Sequence, residues 1–252
     1  MAGFPILTYH SLDPSGSLIS THPDVFAAQI EALAARGTRT LTASELLDAW
    51  DRHDVLEDAL AITFDDGYGN LLDHALPVLR KHGMRATVYA LAGKLGGSND
   101  WPGEPPEIPR LPLLDVAGLR TLQSAGWEIG SHGDLHSHLP ALSGAALDRE
   151  ISGSKARLED ATGHPVTHFA YPYGEATPRV KELCRARYRA AAGVRLGFAR
   201  STDDRFDLPR IDMYYVPSAR ALDRLPGAAG RGYVWLRARG RDLRRALAGA
   251  AG

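Results

Sequence analysis

Two aspartates stand side by side at positions 65 and 66, inside the run "AITFDDGYGN" of residues 61–70. The four residues before them have the apolar, partly β-branched composition of a buried strand. Successive strand residues point to opposite faces, so the pair sends one carboxylate toward the core whichever way the strand is turned. An unpaired buried carboxylate is costly, so both need assigned partners. A second cluster, "SHGDLHSH" at 131–138, places His132 and His136 four residues apart. Where the backbone turns helically, two imidazoles at that spacing face one ion. One of the aspartates completes a two-histidine, one-carboxylate site that leaves positions for water and substrate. The other can then take a proton from the water. Singly, such histidines read as loop residues and such aspartates as helix caps. Their joint occurrence turns the reading toward metal-assisted hydrolysis.

The elements that must position these residues alternate along the chain. Strand-like runs "PILTYH", "TRTLTA", "LAITFDD", "RATVYALAG", "WEIGSH", "VTHFAYP", "RAAAGV" and "FDLPRIDM" are mostly separated by amphipathic helical ones. In the first helix Phe26, Ile30 and Leu33 recur at helical spacing; in the second Ser44 is the expected N-cap. About seven β-α units in series predict a parallel sheet with helices outside, closed into a single distorted (β/α) barrel. In such folds the strand C-terminal ends carry the chemistry. His10, Asp65, Asp66, His132, Tyr171 and Tyr173 all fall at predicted strand ends, and Arg210 lies in the last strand. A Gly/Pro-rich stretch around Trp101 is long for a plain connection and is expected to cover a site.

Composition narrows the class. The chain has 252 residues, 44% apolar and 23% charged, with a net charge of −1, which gives no global signal for nucleic acid. Its single cysteine, Cys184, excludes an internal disulfide and reads as a packing residue. The start "MAGFPILTYHSLD" has neither a basic region nor a long apolar run, and no segment is apolar enough to span a bilayer. The expectation is a cytoplasmic protein acting on a soluble substrate. Residues 1–220 are read as the barrel and 221–252 as a basic helical segment packed on it or extending from it. For that segment, packing on the barrel is favoured over contact with an anionic membrane surface or glycan.

"TFDDG" (63–67), "SHGDLH" (131–136) and "FAYPYG" (169–174) resemble, in order and separation, the three main motifs of the polysaccharide deacetylase family. This family is also called the NodB-homology or carbohydrate esterase family 4 domain, and the resemblance spans roughly residues 5–215. It implies a distorted barrel of about seven strands that removes acetyl groups from sugars with a divalent metal. Carried over by position, Asp65 is the general base. Asp66, His132 and His136 are the metal ligands, and the Tyr173 backbone N–H is a donor to the oxyanion. Zinc suits two imidazoles and a carboxylate; cobalt, nickel or iron fit the same set. The implied partner is an acetylated sugar or oligosaccharide. The alternatives are a non-sugar amide or cyclic imide as substrate, or an inactive glycan-binding domain.

The chain departs from the family pattern at two places. The arginine that opens the third motif in many members is Ala170 here, and no histidine follows His168 to supply the late general acid. The opening "ILTYHSLD" resembles the poly-N-acetylglucosamine deacetylase branch, which implies that His10 is the acid. Arg210 in "LPRID" is the candidate to replace the missing arginine and hold Asp65 ionised. His138 competes with His136 as ligand; His136 is preferred because Leu139 follows it as in the family's motif. His164 is read as a loop residue, His168 as a strand residue beneath the site, and Glu128 as a structural hydrogen-bonding group. Tyr68 and Trp101 are candidates for stacking on a sugar ring.

Overall fold

A computed structural model describes residues 3–249, with side chains through residue 241. Met1, Ala2 and the last three residues of the basic segment lie outside it.

Ten strands form in chain order: β1 (Ile6–Tyr9), β2 (Ser11–Leu12), β3 (Ser20–Thr21), β4 (Arg39–Leu41), β5 (Ala59–Phe64), β6 (Thr87–Ala90), β7 (Glu128–Ser131), β8 (His168–Ala170), β9 (Ala190–Leu196) and β10 (Leu208–Asp212). Seven of them close a parallel ring in the order β1-β10-β9-β8-β7-β6-β5, with β5 pairing back to β1. β4 pairs with the first half of β5 and β6 with the second, so an eighth strand is inserted at the N-terminal end. β2 and β3 form a small separate sheet just beyond His10.

Helices α1 (Pro23–Ala35), α2 (Ala43–Asp51), α3 (Leu71–Lys81), α4 (Val116–Ser124), α5 (Gly144–Asp148), α6 (Ser154–Thr162) and α7 (Pro178–Arg185) connect the strands. α8 (Ala219–Arg224) and α9 (Ala228–Gly249) follow the ring. A π-helical turn, Arg149–Gly153, joins α5 to α6. The N-cap of α2 is Thr42, not Ser44: Thr42 and Glu45 exchange hydrogen bonds in a capping box. Ser44 is freed for another task, donating its hydroxyl and its amide to Glu128 at 2.7 and 2.8 Å. Among the described residues no helix is long and apolar enough to cross a membrane.

The strand alternation explains the two-sided barrel wall. On β5, Leu60, Ile62 and Phe64 face outward into the main apolar core with helix residues such as Phe26, Leu71 and Leu119. The Phe64 ring stacks between Tyr9 at 5.5 Å and Trp127 at 5.4 Å, and burying each such ring contributes about 1.5–3 kcal/mol. Ala59 and Ala61 face inward, where they pack with Ile6, Ala190 and Leu208 and close the bottom of the barrel. Thr63 continues that inward row, and the next position in it is Asp65. Small inward side chains leave axial room for two large ones, Tyr89 and Arg210. Gly130 is part of that arrangement, since a Cβ there would stand 2.5 Å from the Tyr89 ring.

Candidate active site

Asp65 extends the inward row of β5, its amide anchored to the Tyr9 carbonyl at 3.0 Å. Its carboxylate is buried and gripped by both terminal nitrogens of Arg210, each at 2.7 Å. Arg210 is fixed in turn by its Nε donating to the Gly193 carbonyl at 3.1 Å and by lying over the Tyr89 ring at 5.7 Å. Burial raises the Asp65 pKa, but the charge and hydrogen bonds of Arg210, together with the nearby histidines, outweigh it and hold the group below the usual carboxylate range. His10, the residue after β1, brings Nε2 to 4.0 Å from Asp65 Oδ2 and remains partly exposed.

Asp66 would point outward if the strand continued. Instead its φ is +66°, in the left-handed region, and Gly67 follows at +72°. The chain leaves the strand at this point, and both carboxylates reach the barrel mouth. Asp66 Oδ1 lies 3.3 Å from His132 Nε2 and 3.4 Å from His136 Nε2. One ligand atom from each of the three residues falls within 4.8 Å of the others, and all three residues are buried. His132 Nδ1 donates to the Ala170 carbonyl at 2.8 Å, which leaves its Nε2 lone pair toward Asp66. Burial presses His136 down to about 4, so that imidazole is neutral at pH 7. Asp66 lies below the usual carboxylate range despite its burial, so it is ionised at pH 7. Asp66 Oδ1 is nevertheless without a hydrogen-bond partner. A buried anionic oxygen facing two imidazole nitrogens, with no proton donor of its own, fits a divalent cation.

The loop that holds the histidines is organised from below. Glu150, in the π-helical turn, is buried and accepts from the Asp134 amide at 2.6 Å, the Leu135 amide at 3.2 Å and the Ser137 hydroxyl at 2.6 Å. Gly133 makes room for it: with φ at +91°, a Cβ there would meet Glu150 Oε2 at 2.7 Å. Nothing at the sequence level marks Glu150, because a π-turn has no local composition cue. From above, the Trp101 ring lies 4.4 Å from the His136 ring, and Tyr173 packs edge-on to His136 at the same distance. Tyr173 has φ +57°, which redirects the backbone between Pro172 and Gly174.

The mouth thus brings together Asp65, Asp66, His132, His136, His10 and Arg210, with Tyr173 against His136. His138 stays outside; it is more than half exposed, pairs with Glu175 at 3.0 Å and stacks on Tyr173 at 4.0 Å. Tyr68 and Trp101 offer no stacking face, being 0% and 4% exposed in a cluster with Leu91 and Leu113. The long loop does reach the site, but through Trp101 as a wedge against a histidine. His164 is a loop residue bonded to the Thr162 carbonyl. His168 lies buried below and pairs with Glu128 at 2.8 Å. Burial raises Glu128, but the hydrogen bond and charge of His168 outweigh it and hold Glu128 down at about 2.

The sequence model of one family, Polysaccharide deacetylase, matches residues 52–191. A Bacillus subtilis (strain 168) protein described as a polysaccharide deacetylase, YxkH, is 28% identical over 215 residues, covering 83% of this chain and 71% of that one. Poly-beta-1,6-N-acetyl-D-glucosamine N-deacetylase of Staphylococcus aureus (strain MSSA476) is 25% identical over 205 residues, 76% of this chain. The match spans 64% of that relative, less than two thirds of its length. Among solved structures, the Streptococcus pyogenes deacetylase PplD in complex with acetate superposes with a TM-score of 0.76 at 21% identity, over 86% of this chain and 95% of that one. IcaB from Ammonifex degensii gives 0.71 at 23% identity, over 88% and 98%. These two likenesses establish the barrel fold.

Proposed function

Since the chain belongs to the polysaccharide deacetylase family, we propose that it is a metal-dependent hydrolase removing the acetyl group from an N-acetylated sugar in a glycan or glycan precursor. One observation carries this reading. A buried three-residue ligand set and an ionised, arginine-held carboxylate occupy adjacent positions, 66 and 65, at one barrel mouth.

Asp66, His132 and His136 would hold the divalent ion, with zinc the first choice for two imidazoles and a carboxylate. When bound, such an ion supplies Lewis acidity, lowering the pKa of water and polarising the acetyl carbonyl. Asp65 is the general base. Arg210 keeps it ionised and occupies both of its oxygens, so its orientation is fixed before substrate arrives. The attacking water gives its proton to Asp65 as its oxygen bonds to the acetyl carbon. The Tyr173 amide donates to the oxyanion that develops there. His10, on the open side of Asp65 at 4.0 Å, protonates the sugar nitrogen as the C–N bond breaks. Acetate and the amino sugar leave. Arg210 replaces the family arginine whose position is Ala170, and the Ala170 carbonyl instead orients His132.

The test is acetate release from N-acetylglucosamine oligomers, β-1,4- and β-1,6-linked, by protein of measured metal content, with and without chelator. The expected result is one bound divalent ion and chelator-sensitive release. Bound metal without release from any sugar points to a non-sugar amide or cyclic imide; absence of metal contradicts the catalytic reading. His10→Ala is expected to lower turnover by about a hundredfold or more without loss of metal.

A further inference from the structure

Tyr173 serves the proposed chemistry through its backbone, and the chain holds that backbone in an unfavourable conformation. Its φ of +57° lies in the left-handed region, which a bulky residue keeps only where its surroundings fix it. The ring is what they fix. On one side it meets His136 edge-on at 4.4 Å; on another, His138 stacks on it with centroids 4.0 Å apart and an interplanar angle of 7°.

His138 is itself held from several directions. Its Nδ1 donates to Glu175 Oε2 at 3.0 Å, and Glu175 belongs to the same turn as Tyr173, its amide donating to the Pro172 carbonyl at 3.2 Å. Just before His138, the Ser137 hydroxyl donates to Glu150 at 2.6 Å. Just after it, Arg179 of α7 donates to the Pro140 carbonyl at 3.4 Å and to that of Leu142. The loop after β7 and the turn after β8 are thus closed into one unit. Glu175 orients His138, and His138 covers Tyr173. Neither residue is a ligand or a proton carrier in the proposed chemistry. At the rim, with side chains 56% and 40% exposed, the pair adds little to stability; what its geometry controls is Tyr173.

We propose that His138, oriented by Glu175, is a positioning residue for the oxyanion donor: its stack on the ring holds the Tyr173 amide where the tetrahedral oxygen develops. The inference rests on the deacetylase reading, with that amide as donor. Such a donor contributes most when nothing has to reorganise at the moment of reaction. Because the oxyanion develops only on the way to the transition state, a displaced donor lowers kcat and leaves KM alone.

The test compares wild type, His138→Ala, His138→Phe and Glu175→Ala for acetate release from an N-acetylglucosamine oligomer, with metal affinity measured by chelator competition in the same preparations. His138→Ala is expected to lower kcat about tenfold, with KM and metal affinity unchanged. His138→Phe keeps a flat ring on Tyr173 and is expected to stay within about threefold of wild type; Glu175→Ala, which frees the imidazole to turn, is expected to lose about threefold. A higher KM at unchanged kcat overturns the proposal and assigns His138 to sugar contact. Weakened metal binding overturns it and assigns the stack to holding His136. His138→Phe as slow as His138→Ala also overturns it, because the stack would then not be what matters. An active wild type with unaffected His138→Ala overturns this inference alone, whereas no acetate from the wild type overturns the deacetylase reading and this inference with it.

Discussion

The two halves of the barrel mouth are built on opposite electrostatic plans, although neighbouring residues of one strand anchor them. On the Asp65 side every charge is answered from within the chain: both carboxylate oxygens meet Arg210 at 2.7 Å, and Arg210 Nε meets a carbonyl. On the Asp66 side the charge is left open. Its Oδ1 has two imidazole nitrogens beside it and no donor. The first half is complete as folded; the second leaves a buried anionic oxygen that a cation would satisfy. Adjacent aspartates are thus neither redundant nor a shared pair, and each can be removed with a different consequence.

Three substitutions bear on that separation, taken here from the largest expected effect. Arg210→Gln leaves Asp65 buried without its cation, and breaking such a pair costs about 3–5 kcal/mol of stability. The folded Asp65 pKa lies below its ordinary 3.8, so its contribution is present above that pH and is lost as pH falls through the folded value. In the variant Asp65 titrates higher, and the acidic limb of the pH–rate profile should move to higher pH. Metal affinity should hold; if the metal is lost as well, the two halves are not separable. Glu150→Gln acts on the other half alone. Metal affinity should fall about tenfold to a hundredfold, as for other partners that orient ligand loops, with the acidic limb unmoved. Competition with a chromophoric chelator reads the first quantity and a pH–rate series the second. Trp101→Phe is the mildest, keeping an aromatic wedge beside His136; a few-fold weakening of the metal is expected by the same titration, and none at all would remove the loop from the site.

Much of this arrangement is legible in the sequence because the motifs are contiguous. "TFDDG" and "SHGDLH" each hold residues that act together, so spacing alone suggests shared work. Arg210 could be reached by asking what holds a buried aspartate ionised, although it lies 145 residues from Asp65. What stayed hidden depends on backbone geometry rather than residue type. The left-handed turn at Asp66 is what keeps its carboxylate from the core, and local composition specifies such a turn weakly outside glycine. Glu150 acts through a π-turn, and Ala170 through a carbonyl that any residue would supply. Thr42 displaced Ser44 as the cap because its capping box with Glu45 satisfies two amides at once, while Ser44 serves the partly buried Glu128 of β7.

The most direct test sets Asp65→Asn beside Asp66→Ala and measures, in the same preparations, bound metal and acetate released from an N-acetylglucosamine oligomer. The account predicts that Asp65→Asn keeps its metal while turnover falls about a hundredfold to ten-thousandfold, the range expected for a lost general base. It predicts that Asp66→Ala loses both. Metal lost from Asp65→Asn, or retained at full affinity by Asp66→Ala, would contradict the division of labour between the two carboxylates.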